Sequence, residues 1–284
     1  MLHLLLGSLS LLYYINAPVT AMRELPQSKS EVASEAYFSE EVRLLEEKDD
    51  WMKIETTADK YQGWVRKEAL CTRDAPFLDS SMQCAWVSRS AAHLYAKEDT
   101  VYGPMLTVPF ESRLQVIEPK GESNSRWIKV SLVDGQEGYI QRGDVTLVSR
   151  RLSCEEMCRL SLQFLGLPYT WGGRSSFGYD CSGFVQMLYR QMKIQLPRDT
   201  KDQIRWEGFK EVALDQLERG DLIFFGLSKD QIRHVGMCMG NNQFIHATVG
   251  ENQPYIHISN LSDSEWSGAG RLGFRAGRRL IESK

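Results

Sequence analysis

The feature that most restricts the fold of this chain is an internal repeat in its N-terminal half. One copy, WMKIETTADKYQGWVRKEAL, begins at Trp51, and the second, RWIKVSLVDGQEGYIQRGDV, carries the matching tryptophan at Trp127. In both copies apolar and polar residues alternate on either side of a turn that contains Gly or Asp, which is typical of half-buried strands in a hairpin. Further strands are expected upstream, at 41–45 and 113–117. The repeat therefore predicts two small all-β domains.

From Leu152 onward the pattern changes to helices followed by strands. SCEEMCRLSLQFLG has apolar residues at helical spacing, a capping-box pair in Ser153 and Glu156, and Gly166 at its end. After Cys181, SGFVQMLYRQMKI places its apolar residues on one stripe and predicts a second helix that is buried on one side. GDLIFFG, RHVGMCMG, NQFIHATV and YIHISN are typical of strands. This order predicts an α+β domain.

The 284 residues are enough for two or three domains. The patterns divide the chain into a leader at 1–21, a first β domain at 22–78, a second at 79–150 and the α+β domain at 151–284.

The leader is interpreted as a signal peptide. Leu4 to Ile15 is an apolar run that is too short to span a bilayer, and small residues up to Ala21 follow it. This interpretation predicts a periplasmic or cell-envelope protein. The region before the apolar run lacks Lys and Arg, so the alternative is a cytoplasmic protein whose true start is Met22.

The composition favours a soluble globular chain. Hydrophobic residues make up 42% and charged residues 25%, and the net charge of −3 is spread along the chain, so disorder is not expected. The sequence contains no basic block of the kind that binds nucleic acid or an anionic membrane surface. Neither nucleic acid nor stable membrane insertion is expected, and we expect a monomer.

The six cysteines do not form a dense disulfide pattern, so buried free thiols are expected. Whether Cys71 and Cys84 pair is left open. Cys154 and Cys158 lie one helical turn apart and could bind a metal, but the sequence offers no second pair at the spacing of a zinc finger. Packing in the core is therefore the favoured role for these two.

Cys181 can be a nucleophile, a metal ligand or a small apolar residue. At the start of a helix its thiolate would be stabilised by unpaired N–H groups and by the helix dipole. A neighbouring imidazole that accepts the proton would activate it further. The position of the histidines therefore decides between the three readings.

His234 and His246 flank a turn at 240–242. If those three residues close a hairpin, Gly236 faces His246 and the two imidazoles lie on one face as diagonal neighbours. A two-residue loop would shift the register by one step and turn one imidazole away. In the favourable register His234 is the base for Cys181, and His246 orients it.

These residues resemble the NlpC-type family of bacterial cell-wall cysteine peptidases. PYTWGGRSSFGYDCSGFVQMLYRQMKIQLPRDT, GDLIFFG, RHVGMCMG and FIHA match its motifs in order, from Leu152 to about Ala276. The resemblance implies a papain-like α+β core, a Cys181–His234–His246 triad, and no metal or other cofactor. Together with the repeat, it implies two small SH3-like barrels followed by a papain-like NlpC-type catalytic domain.

The branch of this family with two SH3-like domains implies a substrate. Its members cleave between γ-D-glutamate and meso-diaminopimelate or lysine in peptidoglycan stem peptides that begin with a free L-alanine. The resemblance places Asp199 on the free amine, although Asp199 could instead be a helix N-cap. It places Tyr61 in the wall of the pocket, although Tyr61 could instead be a solvent-facing strand residue.

The resemblance also implies roles for residues around the nucleophile. Tyr169 and Trp171 line the cleft, and the Tyr169 hydroxyl and the Cys181 amide are candidates for the oxyanion hole. Asp180 and Ser182 help to position the substrate backbone. Thr200, where relatives often have serine, keeps the hydroxyl and also binds substrate. Arg198 is expected to be structural and to pair with a carboxylate.

The sequence therefore predicts a cysteine endopeptidase for the γ-D-glutamyl–diamino acid bond. Two alternatives are a hydrolase of intact, polymerised peptidoglycan and a wall-binding protein with a vestigial peptidase domain. The choice of diamino acid and the role in remodelling or recycling are left open.

Overall fold

A computed structural model of the chain describes residues 11–117, 125–267 and 272–281. In the described residues the first sheet is antiparallel and has the strand order β3-β2-β6-β5-β4-β1-β7. Its strands are β1 (Leu12–Ile15), β2 (Val19–Arg23), β3 (Val32–Tyr37), β4 (Glu41–Lys48), β5 (Trp51–Thr56), β6 (Gln62–Arg66) and β7 (Leu70–Arg73).

The second sheet repeats this topology. Its strand order among the described residues is β10-β9-β13-β12-β11-β8-β14. Each strand number is seven higher than that of the strand at the same position in the first sheet, so the two sheets have the same topology. Its strands are β8 (Cys84–Val87), β9 (Ala91–Tyr95), β10 (Leu106–Pro109), β11 (Arg113–Val116), β12 (Trp127–Ser131), β13 (Glu137–Gln141) and β14 (Val145–Thr146). Trp51 and Trp127 begin equivalent strands, and the strands predicted upstream of them are β4 and β11. The repeat is thus confirmed as two β domains with one topology.

The two β domains form one compact unit with apolar residues at their interface. Tyr14, Phe38 and Phe77 pack with the buried residues of the second sheet. The Tyr14 hydroxyl accepts a hydrogen bond of 3.1 Å from the Phe77 amide, and the Arg113 amide donates one of 2.8 Å to the Ser39 hydroxyl.

The structure differs from the predicted leader at 1–21. Strands β1 and β2 lie largely within that segment, and the predicted boundary falls inside β2. Ile15 and Met22 are fully buried in the core of the first β domain. Residues 12–21 are therefore part of that domain in this structure, and Ile15, at the end of the apolar run that suggested a leader, fills its core. Residues 1–10 lie outside the described residues.

The second unit comprises residues Val32–Glu35 and the chain from Ser149 onward. Within the described residues its main sheet is antiparallel, with the order β17-β22-β18-β19-β20-β21. Its elements are α1 (Cys154–Ser161), β15 (Arg174–Ser175), β16 (Gly178–Tyr179), α2 (Cys181–Gln191), α3 (Thr200–Gln203), β17 (Phe209–Val212), β18 (Leu222–Ser228), β19 (Gln231–Gly240), β20 (Gln243–Ala247), β21 (Ile256–Asn260) and β22 (Phe274–Leu280).

The first two α-helices of this unit begin at residues whose side chains cap a helix N-terminus. α1 has the predicted capping box, in which the Ser153 hydroxyl accepts from the Glu156 amide and the Glu156 carboxylate accepts from the Ser153 amide. The predicted second helix is α2, which ends earlier than expected, before Lys193 at a φ of 61°. None of the helices in the described ranges has the length and apolar character needed to cross a bilayer.

Candidate active site

Cys181 is the first residue of α2. The Asp180 carboxylate caps this helix by accepting a hydrogen bond of 2.7 Å from the Gly183 amide. The Cys181 side chain is almost fully buried, and its sulfur lies 3.8 Å from the Thr200 hydroxyl. The thiol also accepts a hydrogen bond from the Val235 amide, which places it against β19 beside His234.

His234 and His246 face each other because of an irregular hairpin. Asn241 and Asn242, both at positive φ, close a two-residue turn between β19 and β20 in place of the predicted three-residue turn. A bulge at Met239 inserts one residue and restores the predicted register, with Met237 opposite Ile245. The predicted turn was wrong, and the register that puts both imidazoles on one face is present.

The two imidazoles belong to a chain of buried polar groups. Nε2 of His234 lies 2.8 Å from Nδ1 of His246, and Nε2 of His246 lies 3.0 Å from the Ser259 hydroxyl. Sequence reasoning missed Ser259, which lies on β21, the strand paired with β20. The signal available was its place two residues after His257, which puts it diagonally across from His246. Since Nε2 of His234 is engaged, Nδ1 is the nitrogen left for the thiol.

Asp180 and Ser182 are bound by Arg198. The buried guanidinium makes a bidentate ion pair with Asp180, with N–O distances of 2.6 and 3.0 Å, and donates a 2.9 Å hydrogen bond to the Ser182 hydroxyl. It also donates to the Ser34 hydroxyl at 3.0 Å. The predicted pairing of Arg198 with a carboxylate is therefore present. The side chains of Asp180 and Ser182 therefore hold the start of α2, and their contact with the substrate backbone stays a prediction.

Asp199 stands at the N-cap position of α3, but its side chain makes no capping hydrogen bond. The half-buried carboxylate lies 3.4 Å from the ammonium of Lys201. The alternative role as a helix cap is therefore not used. Thr200, the next residue, presents its hydroxyl to the Cys181 sulfur.

The remaining predicted site residues are aromatic. Tyr169 is half-buried, and burial raises the pKa of its hydroxyl, with the neighbouring Cys181 and Asp180 adding to the shift. Trp171 is 64% exposed. Tyr61 lies in the turn before β6, half-buried against the core of the first β domain, so it is not a solvent-facing strand residue. Its contact with substrate stays a prediction.

Comparisons with known proteins match one segment of the N-terminal β domains and one segment of the C-terminal α+β domain. Residues 22–70 match the bacterial dipeptidyl-peptidase Sh3 domain, and residues 166–271 match the NlpC/P60 family. The chain is 31% identical over 135 residues to a probable endopeptidase NlpC homolog of Haemophilus influenzae, which covers 47% of this chain and 69% of that protein. The chain belongs to the NlpC/P60 family.

Two further similarities extend beyond this NlpC/P60 region. The chain is 29% identical over 261 residues to a gamma-D-glutamyl-L-lysine dipeptidyl-peptidase of Bacillus cereus, which covers 85% of this chain and 75% of that protein. A crystal structure of an NlpC/P60 family protein from the same species has a TM-score of 0.81 at 23% identity, covering 95% of this chain and all of that one. The fold is thus two SH3-like domains followed by an NlpC/P60 domain, and the protein is a hydrolase of the cysteine peptidase type.

Burial sets the resting protonation of this NlpC/P60 site. Burial raises the pKa of the Cys181 thiol to about 11 and lowers the pKa of the His234 imidazole to about 3. Burial and the neighbouring imidazoles also lower the pKa of His246. At neutral pH the site therefore holds a neutral thiol beside neutral imidazoles. In the described ranges no cluster of three His, Cys, Asp or Glu side chains is arranged to hold a metal ion.

Proposed function

We propose that this cysteine peptidase hydrolyses the γ-D-glutamyl–diamino acid bond of peptidoglycan stem peptides that begin with a free L-alanine. The observation that carries the proposal is the buried chain from Ser259 through His246 to His234, the residue before Val235, whose amide faces the Cys181 thiol. The similarity to the Bacillus cereus gamma-D-glutamyl-L-lysine dipeptidyl-peptidase, over both the SH3-like and the peptidase regions, supports the choice of bond.

In the proposed mechanism, Cys181 is activated by general base catalysis. Nδ1 of His234 takes the thiol proton as the sulfur attacks the γ-glutamyl carbonyl, because both groups are neutral at rest. The Cys181 amide and the Tyr169 hydroxyl stabilise the oxyanion. Protonated His234 then gives its proton to the departing amine of the diamino acid. Water, activated by His234, releases the γ-glutamyl thioester as a free carboxylate.

Asp199 is proposed to select substrates with a free amino terminus. Its carboxylate does not cap α3 and lies at the start of the helix whose first residue, Thr200, contacts the nucleophile. A carboxylate in that place attracts the ammonium of L-alanine, whereas an acylated amine carries no charge for it to attract. In this proposal the residues beside Cys181 carry out the reaction, and Asp199 selects peptides with a free amino terminus.

The test compares L-Ala-γ-D-Glu-diaminopimelate with the same peptide acetylated on its amine. We expect the free peptide to be cut, the acetylated peptide to be cut at least about tenfold more slowly, and Asp199→Asn to lose most of this discrimination. Cys181→Ala is expected to be inactive on both. Equal rates on both peptides would refute the role of Asp199. Release of fragments from intact peptidoglycan at a comparable rate would favour the alternative of a hydrolase of polymerised wall. Binding without cleavage would favour a wall-binding protein with a vestigial domain.

A further inference from the structure

Two thiols lie one helical turn apart, far from the candidate active site. Cys154, the first residue of α1, is exposed, and Cys158, one helical turn later, is buried. The two side chains lie on the same face of α1, one turn apart. The sequence favoured core packing for both residues, and the structure shows that only Cys158 is in the core.

Cys154 lies in the wall of a groove of about 1350 Å3. The same wall contains Arg151 and Arg219, and the thiol of Cys154 donates a hydrogen bond of 3.3 Å to the Arg219 carbonyl. Gly220 packs directly on the sulfur, where a larger residue would collide with it. A small polar reagent can reach the thiol through the groove, and the Arg219 guanidinium favours its ionised form.

The groove is separate from the candidate active site. It is lined by Tyr189 and Met192 at the C-terminal end of α2, whereas Cys181 is at the N-terminal end. With a rise of about 1.5 Å per residue, the two ends of α2 are about 15 Å apart along the helix axis. Chemistry at Cys154 can therefore be measured independently of the catalytic thiol.

We propose that Cys154 and Cys158 form a redox-active site, in which a peroxide oxidises Cys154 and Cys158 resolves the product as a disulfide. The Cys154 thiolate attacks one peroxide oxygen, the O–O bond breaks, and with one proton the products are a sulfenic acid and water. The Cys158 sulfur then attacks the Cys154 sulfur and forms the disulfide. The hydroxyl of the sulfenic acid leaves with the Cys158 thiol proton as a second water. The two thiols together lose two electrons and the peroxide gains them. The proposal does not rest on the proposed function.

The contacts of Cys154 support its role as the attacking thiol. The hydrogen bond from Cys158 and the charge of Arg219 lower its pKa to about 7, against the opposing effects of burial and Asp221. The Arg219 carbonyl also opposes ionisation, because it accepts the S–H. Hydrogen bonding to Cys154 in turn raises the pKa of Cys158, so Cys154 is the thiol of the pair that ionises first and attacks the peroxide.

The position of Cys154 and Cys158 in the first turn of α1 allows a strained, reversible disulfide between them. Residues one turn apart have Cβ atoms about 5–6 Å apart, whereas a disulfide needs about 3.5–4.5 Å. Cys154 is at the end of α1, so the first turn can tighten to bring the sulfurs together. A strained disulfide is more easily reduced than a relaxed one, which favours a reversible modification.

The first experiment measures the alkylation rate of each thiol at pH 7 in the full chain carrying Cys181→Ala. Cys71 and Cys84 are internal controls, because burial raises the pKa of each to about 11. We expect iodoacetamide to label Cys154 at least about tenfold faster than either control. Equal rates for the three thiols would overturn the assignment of Cys154 as the reactive one.

The second experiment treats the same protein with hydrogen peroxide and analyses the tryptic peptide Leu152–Arg159, which contains both thiols. We expect this peptide to lose two hydrogen atoms and to regain them on reduction, while Cys71 and Cys84 stay reduced. In Cys158→Ser, Cys154 is expected to be oxidised to sulfinic acid without any bridge. Peroxide oxidation of the controls before Cys154, or a bridge from Cys154 to Cys238 in place of Cys158, would contradict the proposal.

Discussion

Replacing Arg198 by methionine tests whether a buried ion pair holds the start of α2. The Arg198 guanidinium donates five hydrogen bonds, two to Asp180 and one each to Ser34, Gly173 and Ser182. Methionine is also long and flexible, but it donates no hydrogen bond. The Asp180 carboxylate would remain buried and charged without its cation.

The expected loss of stability follows from that uncompensated charge. Breaking a buried ion pair by removing one partner costs about 3–5 kcal/mol. Asp180 keeps its hydrogen bonds from the Gly183 amide and the Ser182 hydroxyl, so we expect the lower end, about 3 kcal/mol. In a domain of this size that loss lowers the melting temperature by about 6–12 °C. Urea unfolding is expected to shift to a lower midpoint with an unchanged slope.

The double variant Asp180→Asn/Arg198→Met separates the charge from the packing. Asparagine caps a helix as well as aspartate does and carries no charge, so the double variant is expected to recover at least about half of the loss. Arg198→Lys keeps a cation without the bidentate geometry and should lie between the two. A loss below about 1 kcal/mol in Arg198→Met, or a double variant less stable than the single one, would refute this reasoning.

Three further predictions concern the imidazole chain and the N-terminal strands. Ser259→Ala is expected to lower kcat about tenfold with little change in KM, because His246 loses the partner that sets its tautomer; Ser259→Thr should restore activity, and an equal loss in both variants would contradict this. Burial lowers the pKa of His234 from 6.5 to about 3, so below pH 6.5 the unfolded chain takes up a proton at this imidazole that the folded protein does not. The free energy of unfolding is therefore highest above pH 6.5 and decreases as the pH falls towards 3. Urea titrations at pH 7 and pH 5 should show this loss in the native protein and a smaller loss in His234→Gln. Deletion of residues 1–21 removes β1 and most of β2, so we expect thermal unfolding of the first β domain well below that of a variant lacking residues 1–10; equal melting temperatures would argue against a structural role for these strands.

The β repeat could be predicted from the sequence because its signals are local. Alternation of apolar and polar residues around Trp51 and Trp127 reports directly on which face of each strand is buried. At the N-terminus the signal is ambiguous, because a short apolar run fits a barrel strand as well as a leader. Only the pairing of β1 with β4 and β7 distinguishes the two, and that pairing joins residues distant in sequence.

The imidazole pair shows that register and loop length are separate properties. The sequence predicted that Gly236 faces His246 through a three-residue turn. The structure has a two-residue turn, which alone would have turned one imidazole away, and the Met239 bulge compensates for it. Consecutive residues of both strands are buried, and their pairing keeps the predicted register while the backbone near the turn adjusts to it.

The residues that sequence reasoning missed or misread act through long-range partners. Ser259 reaches His246 from the neighbouring strand, and Ser34 reaches Arg198 across most of the chain. Hydrogen bonds of this kind leave no periodicity or spacing in the sequence. Asp180 also belongs here, because the motif around the nucleophile does not reveal that Arg198 occupies its carboxylate.

The reactivity of Cys181 depends on His234 more than on its place at a helix start. The helix dipole stabilises a charge at its N-terminus by about 0.3–1 kcal/mol. Burial raises the pKa of this thiol from 9.0 to about 11, which corresponds to about 3 kcal/mol against the thiolate. Burial therefore outweighs the dipole, and the thiol stays protonated until His234 accepts the proton during attack. Because His246 and Ser259 orient His234, substitutions on β20 and β21 should change the rate more strongly than substitutions that alter the dipole of α2.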